Sequence, residues 1–388
     1  MSVQRGVWPG IVCILGIGLA LSGWPTSAEE PAPVRVGAVL SLSGPGRSYG
    51  QGNRMGLTLA AEEINAAGGV RGRPVELIIR DDGNEPRNAM AATLELIQHQ
   101  RVIALIGGTT SDVARSIARV CERNRTVFIT PFATHPEITR GRRYVFRVSF
   151  SDVDQAHAIA EFARRDLQAR SVVILNNIAS IYSSSLSQAF QDQFTQRGGQ
   201  ILRMINYTPD TRDFSRLLRP LQAIPEQPIH IYLPGGILDT IRIVMALRKM
   251  QVPVVLLGAD TWDSEELLQR LGSAFHDAYY TTLYHPDLDI PENRTFLQKF
   301  RTRFQQDPTP DAVAAYDALR ILVRALDTAR EWTADAIRDA LLHVDYRGPS
   351  GRIRFRPSGD AVRDVVVLKI VRGRVHFHRL FSVASSRP

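Results

Sequence analysis

At 388 residues, with 44% hydrophobic residues and a formal net charge of +8, the chain can bury a sizeable core but is too long for one ordinary domain. Two cysteines, Cys13 and Cys121, rule out a disulfide scaffold. No segment after the N-terminal stretch has the roughly 20 apolar residues needed to span a bilayer, which excludes a helical membrane protein.

Met1 to Ala28 reads as a secretory leader. A lone early charge, Arg5, precedes an apolar run from Ile11 to Leu21; Trp24-Pro25 and the small residues Thr26-Ser27-Ala28 follow. Cleavage is expected after Ala28, with export of the mature chain. Cys13 lies inside the apolar run and is not placed for lipid attachment. Cys121, left alone in the mature chain, reads as a buried small residue on an apolar helix face.

From Val34 the sequence alternates. Strand-like runs occur at Val34–Leu40, Val75–Arg80, Val102–Ile106, Val127–Ile129, Ser171–Leu175, Gln200–Ile205, Ile229–Leu233 and Val254–Leu257. Helical patterns lie between them, at Gln51–Ala67, Arg87–Gln98, Asp112–Arg123, Gln155–Leu167, Leu186–Arg197 and Leu238–Met250. Such alternation predicts βαβ units around parallel sheets covered on both faces. The runs form two sets, before and after about residue 150, so two doubly wound sheets are expected. Phe296–Phe304, Asp311–Arg330 and Thr333–His343 then follow as consecutive helices, which cover an existing sheet rather than start one. The chain is therefore expected to cross between lobes three times: near residue 150, near Tyr284 and near Gly351.

The basic excess concentrates late. Between Arg347 and Leu380 nine Lys or Arg stand against two Asp, but they alternate with apolar residues, as in Arg352-Ile-Arg-Phe-Arg356 and Val371-Arg-Gly-Arg-Val375. That pattern predicts strands with one wet face rather than a nucleic-acid or membrane patch.

Ligands of open parallel sheets sit beyond the carboxyl ends of the strands. The loops there are rich in glycine and hydroxyls. Gly107-Gly-Thr-Thr-Ser111-Asp112 ends one strand and opens a helix, where free N–H groups and the hydroxyls of Thr110 and Ser111 could receive an anion. A plain N-cap by Ser111 or Asp112 explains the same residues equally well. Thr130-Pro-Phe-Ala-Thr134 could converge on the same crevice or be an ordinary turn. Asp260 holds the matching place after Val254–Leu257, Asp152 follows the first crossing, and Tyr49 and Tyr182 lie in small-residue loops. Hydroxyls and a helix terminus on one side, with acids and aromatics on the other, suit a zwitterion. The sequence has no phosphate-loop pattern, no Gly-x-Ser-x-Gly elbow and no His-Glu-x-x-His, and its nine histidines are scattered. No enzymatic activity, cofactor or metal is expected.

Several segments together resemble the periplasmic leucine/isoleucine/valine-binding protein family. They are Leu42-Ser-Gly-Pro45, Tyr49-Gly50, Glu63-Ile-Asn-Ala-Ala-Gly-Gly-Val-Arg-Gly72, Arg80-Asp-Asp82 with Pro86, Gly107 to Ser111, and Pro131-Phe-Ala-Thr-His-Pro-Glu137. The resemblance runs from about Val34 to about residue 380. It implies an α/β protein of the type I periplasmic binding fold, two doubly wound parallel-sheet lobes joined by a three-segment hinge. The first lobe would be 34–150 plus 284–350, the second 151–283 plus 351–388. Such a protein, expected as a monomer, binds an amino acid, branched-chain or related aliphatic, and delivers it to the permease of an ABC importer. By position, Ser111 and Thr134 would hold the ligand carboxylate, Asp260 with Tyr182 the ammonium, and Asp152, Tyr49, Thr110 and Phe132 would complete the ligand-binding set.

The chain departs from that family in four places. Asn84 and Thr110 stand where the type member has a small disulfide. Asp260 is shorter than the usual glutamate. Phe132 replaces a small residue, and Tyr232-Leu-Pro-Gly-Gly236 lacks an aromatic expected to face the ligand side chain. A ligand-sensing receptor of the same fold, or an amide, urea or aromatic acid as ligand, is the alternative reading.

Overall fold

The computed structural model describes Gly6 and residues 31–382; the rest of the expected leader lies outside the described residues. Among these, no helix is long and apolar enough to cross a membrane.

The first sheet is built by β1 (Val34–Leu40), β2 (Val75–Asp81), β3 (Ala104–Gly107), β4 (Val127–Thr130) and β5 (Val145–Arg147), all parallel, in the order β2-β1-β3-β4-β5. Helices α1 (Arg47–Ala66), α2 (Pro86–Gln98) and α3 (Ser111–Arg123) connect them. Six of seven β1 residues are buried, the near-continuous apolar run of a strand covered on both faces.

The second sheet carries β6 (Ser171–Asn177), β7 (Gln200–Tyr207), β8 (Ile229–Tyr232), β9 (Val254–Gly258) and β10 (Ala278–Thr282). α4 (Asp152–Arg165) leads into β6, and α5 (Ile181–Gln196), α6 (Phe214–Leu218), α7 (Ile237–Lys249) and α8 (Glu265–Leu271) link the strands. Their order, β7-β6-β8-β9-β10, repeats that of the first sheet. Near the end of the chain β14 (Val365–Val371) adds antiparallel to β10, and β15 (Arg374–Phe381) adds antiparallel to β14.

Between these lie α9 (Pro291–Phe304), α10 (Pro310–Thr328), α11 (Ala334–Leu342) and a small sheet of β11 (Asp345–Gly348), β12 (Gly351–Phe355) and β13 (Ala361–Val362). The three helices do cover the first lobe. α10 is buried without a break from Pro310 to Leu319. It presses so closely on α1 that a Cβ at Gly56 would stand 1.9 Å from the Ala312 carbonyl oxygen. Small residues at that crossing let the two backbones touch, and any side chain at position 56 would force them apart.

The structure differs from the sequence expectation in three places. β5 and β10 were not anticipated. The Val371–Val375 alternation is a hairpin turn between β14 and β15, with Arg372 and Gly373 at φ 49° and 76°, the backbone that a two-residue hairpin loop demands. The third crossing also falls later than Gly351. β12 pairs with β11, Asp360 bridges to Arg147, and Phe355 packs edge-on against Phe146 of β5 at 5.2 Å. Residues 351–362 therefore sit with the first lobe, held by the apolar face of β12. The chain enters the second sheet only after Arg363-Asp364.

Arg363 is 3% exposed and ties the three crossings together. Its Nη1 donates to the Val148 carbonyl of the first crossing at 3.2 Å. Its Nη2 donates to Leu283 of the second at 2.9 Å and to Ser350 at 3.1 Å. Burial pulls this guanidinium down to about 10, with Asp317 and Asp364 opposing the shift. Replacing Arg363 by methionine keeps the volume but leaves three buried carbonyls unpaired, each costing about 1–3 kcal/mol. The Arg363→Met protein is expected to lose roughly 3–5 kcal/mol of stability, read as a lower urea midpoint at unchanged slope. A midpoint within error of wild type contradicts this.

Asp152 lies next to the first crossing as the first residue of α4, fully buried. Burial pushes its carboxyl up to about 7; the Ser185 and Thr134 hydroxyls and the Arg147 charge pull the other way. None of these makes a hydrogen bond of good geometry, and both carboxylate oxygens are without a partner. A carboxyl raised from about 3.9 in the unfolded chain favours folding below that pH and loses its contribution as pH rises through about 7. Asp152→Asn, always neutral, should therefore gain on wild type between pH 4 and 8, by roughly 2–4 kcal/mol. Thermal melts of both proteins across that range check the sign; a gap that shrinks with pH contradicts it.

Candidate functional site

Both sheets run in the doubly wound order in which successive connections leave on opposite sides. A crevice opens at the carboxyl ends beside β1 and β3 in one sheet, and beside β6 and β8 in the other. The two crevices face one cleft of about 1020 Å³. Seven of the eight expected residues line it: Tyr49, Thr110, Ser111, Phe132 and Thr134 from the first lobe, Tyr182 and Asp260 from the second. Asp152 does not. Its backbone N–H donates to the Thr134 carbonyl at 3.0 Å, so it lies behind that wall as a support.

The first-lobe wall is a helix start without a cap. Gly107, at φ 142°, turns the chain at the end of β3 where a Cβ would stand 2.0 Å from the Val39 carbonyl oxygen. Thr109 then accepts the Ser41 N–H at 3.1 Å, binding the loops after β1 and β3 together. Thr110, rather than Ser111 or Asp112, is the N-cap residue of α3, and its side chain caps nothing. The Thr110 hydroxyl instead donates to Asn84 Oδ1 at 2.9 Å, so a hydrogen bond joins the two residues that the resemblance sets at a disulfide position. The first N–H groups of α3 are left for a ligand. Thr134 Oγ1 is buried without a partner, and Ser111 Oγ makes no hydrogen bond among the described residues. Together these donors are of the kind that can receive a carboxylate.

The second-lobe wall centres on Asp260, 2% exposed in a short 3-10 turn after β9. Tyr182 OH donates to its Oδ1 at 2.6 Å and Gln155 Nε2 to the same atom at 3.0 Å. Gln155 is itself fixed, accepting from Thr281 Oγ1 at 2.7 Å. Burial pushes the Asp260 carboxyl up to about 6 against these two hydrogen bonds. No Lys, Arg or His lies in ion-pair range of Asp260 among the described residues. Both donors take Oδ1, so Oδ2 could pair with a cation.

Sequence reasoning missed Gln155, which carries no motif and reaches Asp260 from 105 positions away. It also missed Thr261, Arg47 and the start of α7, all on the cleft. There Asp239 accepts from Asn177 Nδ2 at 2.8 Å. Tyr232, in the segment expected to lack a ligand-facing aromatic, is buried against Phe190 at 4.1 Å and does not line the cleft. Among the described residues no group of three or more His, Cys, Asp or Glu is placed to hold a metal ion.

Comparison with known proteins places the fold in a family. The family model described as periplasmic binding protein matches residues 33–374. A leucine-, isoleucine-, valine-, threonine- and alanine-binding protein of Pseudomonas aeruginosa is 22% identical over 343 residues, 88% of this chain and 91% of that one. The crystal structure of a leucine-binding protein from Thermotoga maritima superposes with a TM-score of 0.84 at 29% identity, covering 90% of this chain and 99% of that one. A solute-binding protein of an ABC transporter from Rhodopseudomonas palustris, in complex with 3,4-dihydroxybenzoic acid, shares the fold with a TM-score of 0.79 at 20% identity, over 90% and 97% of the two chains. These relatives are solute-binding proteins rather than enzymes. The chain belongs to the periplasmic binding protein family, as a solute-binding protein of the ABC-transporter type with the type I fold.

Proposed function

We propose that the protein binds an α-amino acid, branched-chain or a related aliphatic one, and presents it to an ABC permease. The observation that carries this reading is Asp260: a buried carboxylate without a cation, across one cleft from an uncapped helix N-terminus. A buried charge without a partner costs several kcal/mol. An α-ammonium would relieve that cost on one wall while the α-carboxylate takes the Ser111 and Thr134 hydroxyls and the α3 N–H groups on the other. Contacts to both walls exist only when the lobes are together, so binding shifts the population toward the closed form, which the permease reads. On this reading the protein is a monomer, exported by the leader cleaved after Ala28. The relatives named for leucine and its neighbours support the solute class. An aromatic acid is the second reading, favoured by the stacked Tyr49 and Phe132 rings on the cleft wall, 6.0 Å apart, and by the dihydroxybenzoate bound to a relative of the same fold.

Thermal melting with L-leucine, with its amine-free analogue 4-methylpentanoate and with 3,4-dihydroxybenzoate separates the readings. L-leucine should raise the melting temperature and 4-methylpentanoate should not. Asp260→Ala should weaken L-leucine binding by about 10²- to 10³-fold, the equivalent of roughly 3–5 kcal/mol. A loss under about threefold in a folded variant refutes the ammonium site, and a shift with the benzoate alone replaces the amino acid by an aromatic acid.

A further inference from the structure

Tyr49 was expected to line the ligand, yet its one donor is spent elsewhere. The third residue of α1, it belongs to the first lobe, and its OH donates to the Thr261 carbonyl of the second lobe at 3.1 Å. The two residues are 212 positions apart and face each other across the cleft. We infer that Tyr49 is an interlobe latch, whose phenol holds the lobes together through the Thr261 carbonyl and thereby slows the escape of bound solute.

Both ends of the bond are held in place. On the donor side the Tyr49 ring stacks on Phe132, centroids 6.0 Å apart and planes 25° apart. On the acceptor side Thr261 Oγ1 donates to the Gly235 carbonyl at 2.8 Å, and Tyr182 OH lies 3.4 Å from the same hydroxyl. The neighbouring Asp260 is pinned by Gln155. Holding both partners before they meet removes most of the ordering cost of the bond. The phenol also keeps its proton. Burial raises its pKa, and the negative charges of Asp311 from the first lobe and of Asp260, Asp263 and Glu266 from the second raise it further. The latch thus stays a donor beyond the pH at which an exposed tyrosine ionises.

When the cleft opens, both groups pass to water, so the latch contributes what one exchanged hydrogen bond contributes, about two- to tenfold in an equilibrium. Tyr49→Phe deletes the hydroxyl alone and keeps the ring stack. In ligand-free protein, amide exchange at the cleft segments 110–113 and 260–262 should rise about two- to tenfold in this variant, with β1 and β6 unchanged. Cleft amides that do not change overturn the latch, and so does an equal rise in the core strands, which marks plain destabilisation. This arm needs no knowledge of the solute. A second arm rests on the proposed function: L-leucine should dissociate from Tyr49→Phe about two- to tenfold faster with little change in association. An unchanged dissociation rate overturns the role in release.

Discussion

A fully buried guanidinium at the meeting point of three crossings governs how everything else is placed. Arg363 donates to carbonyls from two segments the chain lays down 215 and 80 residues earlier. Backbone carbonyls at a crossing have left one sheet and not entered the next, so they have no ladder partner and must find one. A single Arg, with five donors in a fixed fork, answers several of them at once where a Lys could not. Taking the charge out of water is costly, and Asp317 offsets part of that cost. Asp317 also accepts from Tyr346 OH at 2.8 Å and from Ser350, so the point is continuous with the first-lobe core. With the crossings fixed together, the carboxyl ends of two separate sheets face the same space.

That space leaves polar groups unsatisfied, against the general tendency of folded proteins. Thr134 Oγ1 is buried and unpaired, α3 starts without a side-chain cap, and Asp260 is buried without a cation. At two nearby points comparable groups are closed. Ser151 and Asp154 form a full capping box on α4, and Asp360 takes Arg147 in an ion pair beside the first crossing. What marks the cleft is its sign: donors collect on one wall and a carboxylate on the other. A core would not tolerate that separation, but a site awaiting a zwitterion requires it.

The parallel strands could be read from sequence because burial on both faces leaves only apolar, β-branched residues. β1 was placed to the residue, and β8 and β9 to within one. β5 and β10 escaped for the same reason in reverse. Val145-Phe-Arg147 is too short to make a run, and Ala278-Tyr-Tyr-Thr-Thr282 lacks the aliphatic signature although four of its residues, Ala278, Tyr280, Thr281 and Thr282, are fully buried. The site residues that follow strands were legible by position. Residues that act from a distance were not. Gln155 looks like any helical glutamine, and Arg363 like one more charge in a basic tail, until the fold brings them to Asp260 and to the crossings. Asp152 is the opposite case: its position was read correctly, but it turned out to stand one layer behind the cleft.

Phe132 links the wall to the movement of the lobes. The resemblance implies a small residue at position 132, so a phenylalanine there implies a smaller pocket, and from sequence no other role is visible. In the fold the ring is 95% buried and lies beneath Tyr49, so its bulk takes space from the cleft and at the same time fixes the phenol that reaches the other lobe. The two effects cannot be separated by substitution at 132 alone, since a small residue there would enlarge the cleft and free the Tyr49 ring together. Affinity and release are therefore coupled through one side chain. A wider pocket would come with a weaker grip between the lobes, which ties the size of the solute accepted to the time it is held.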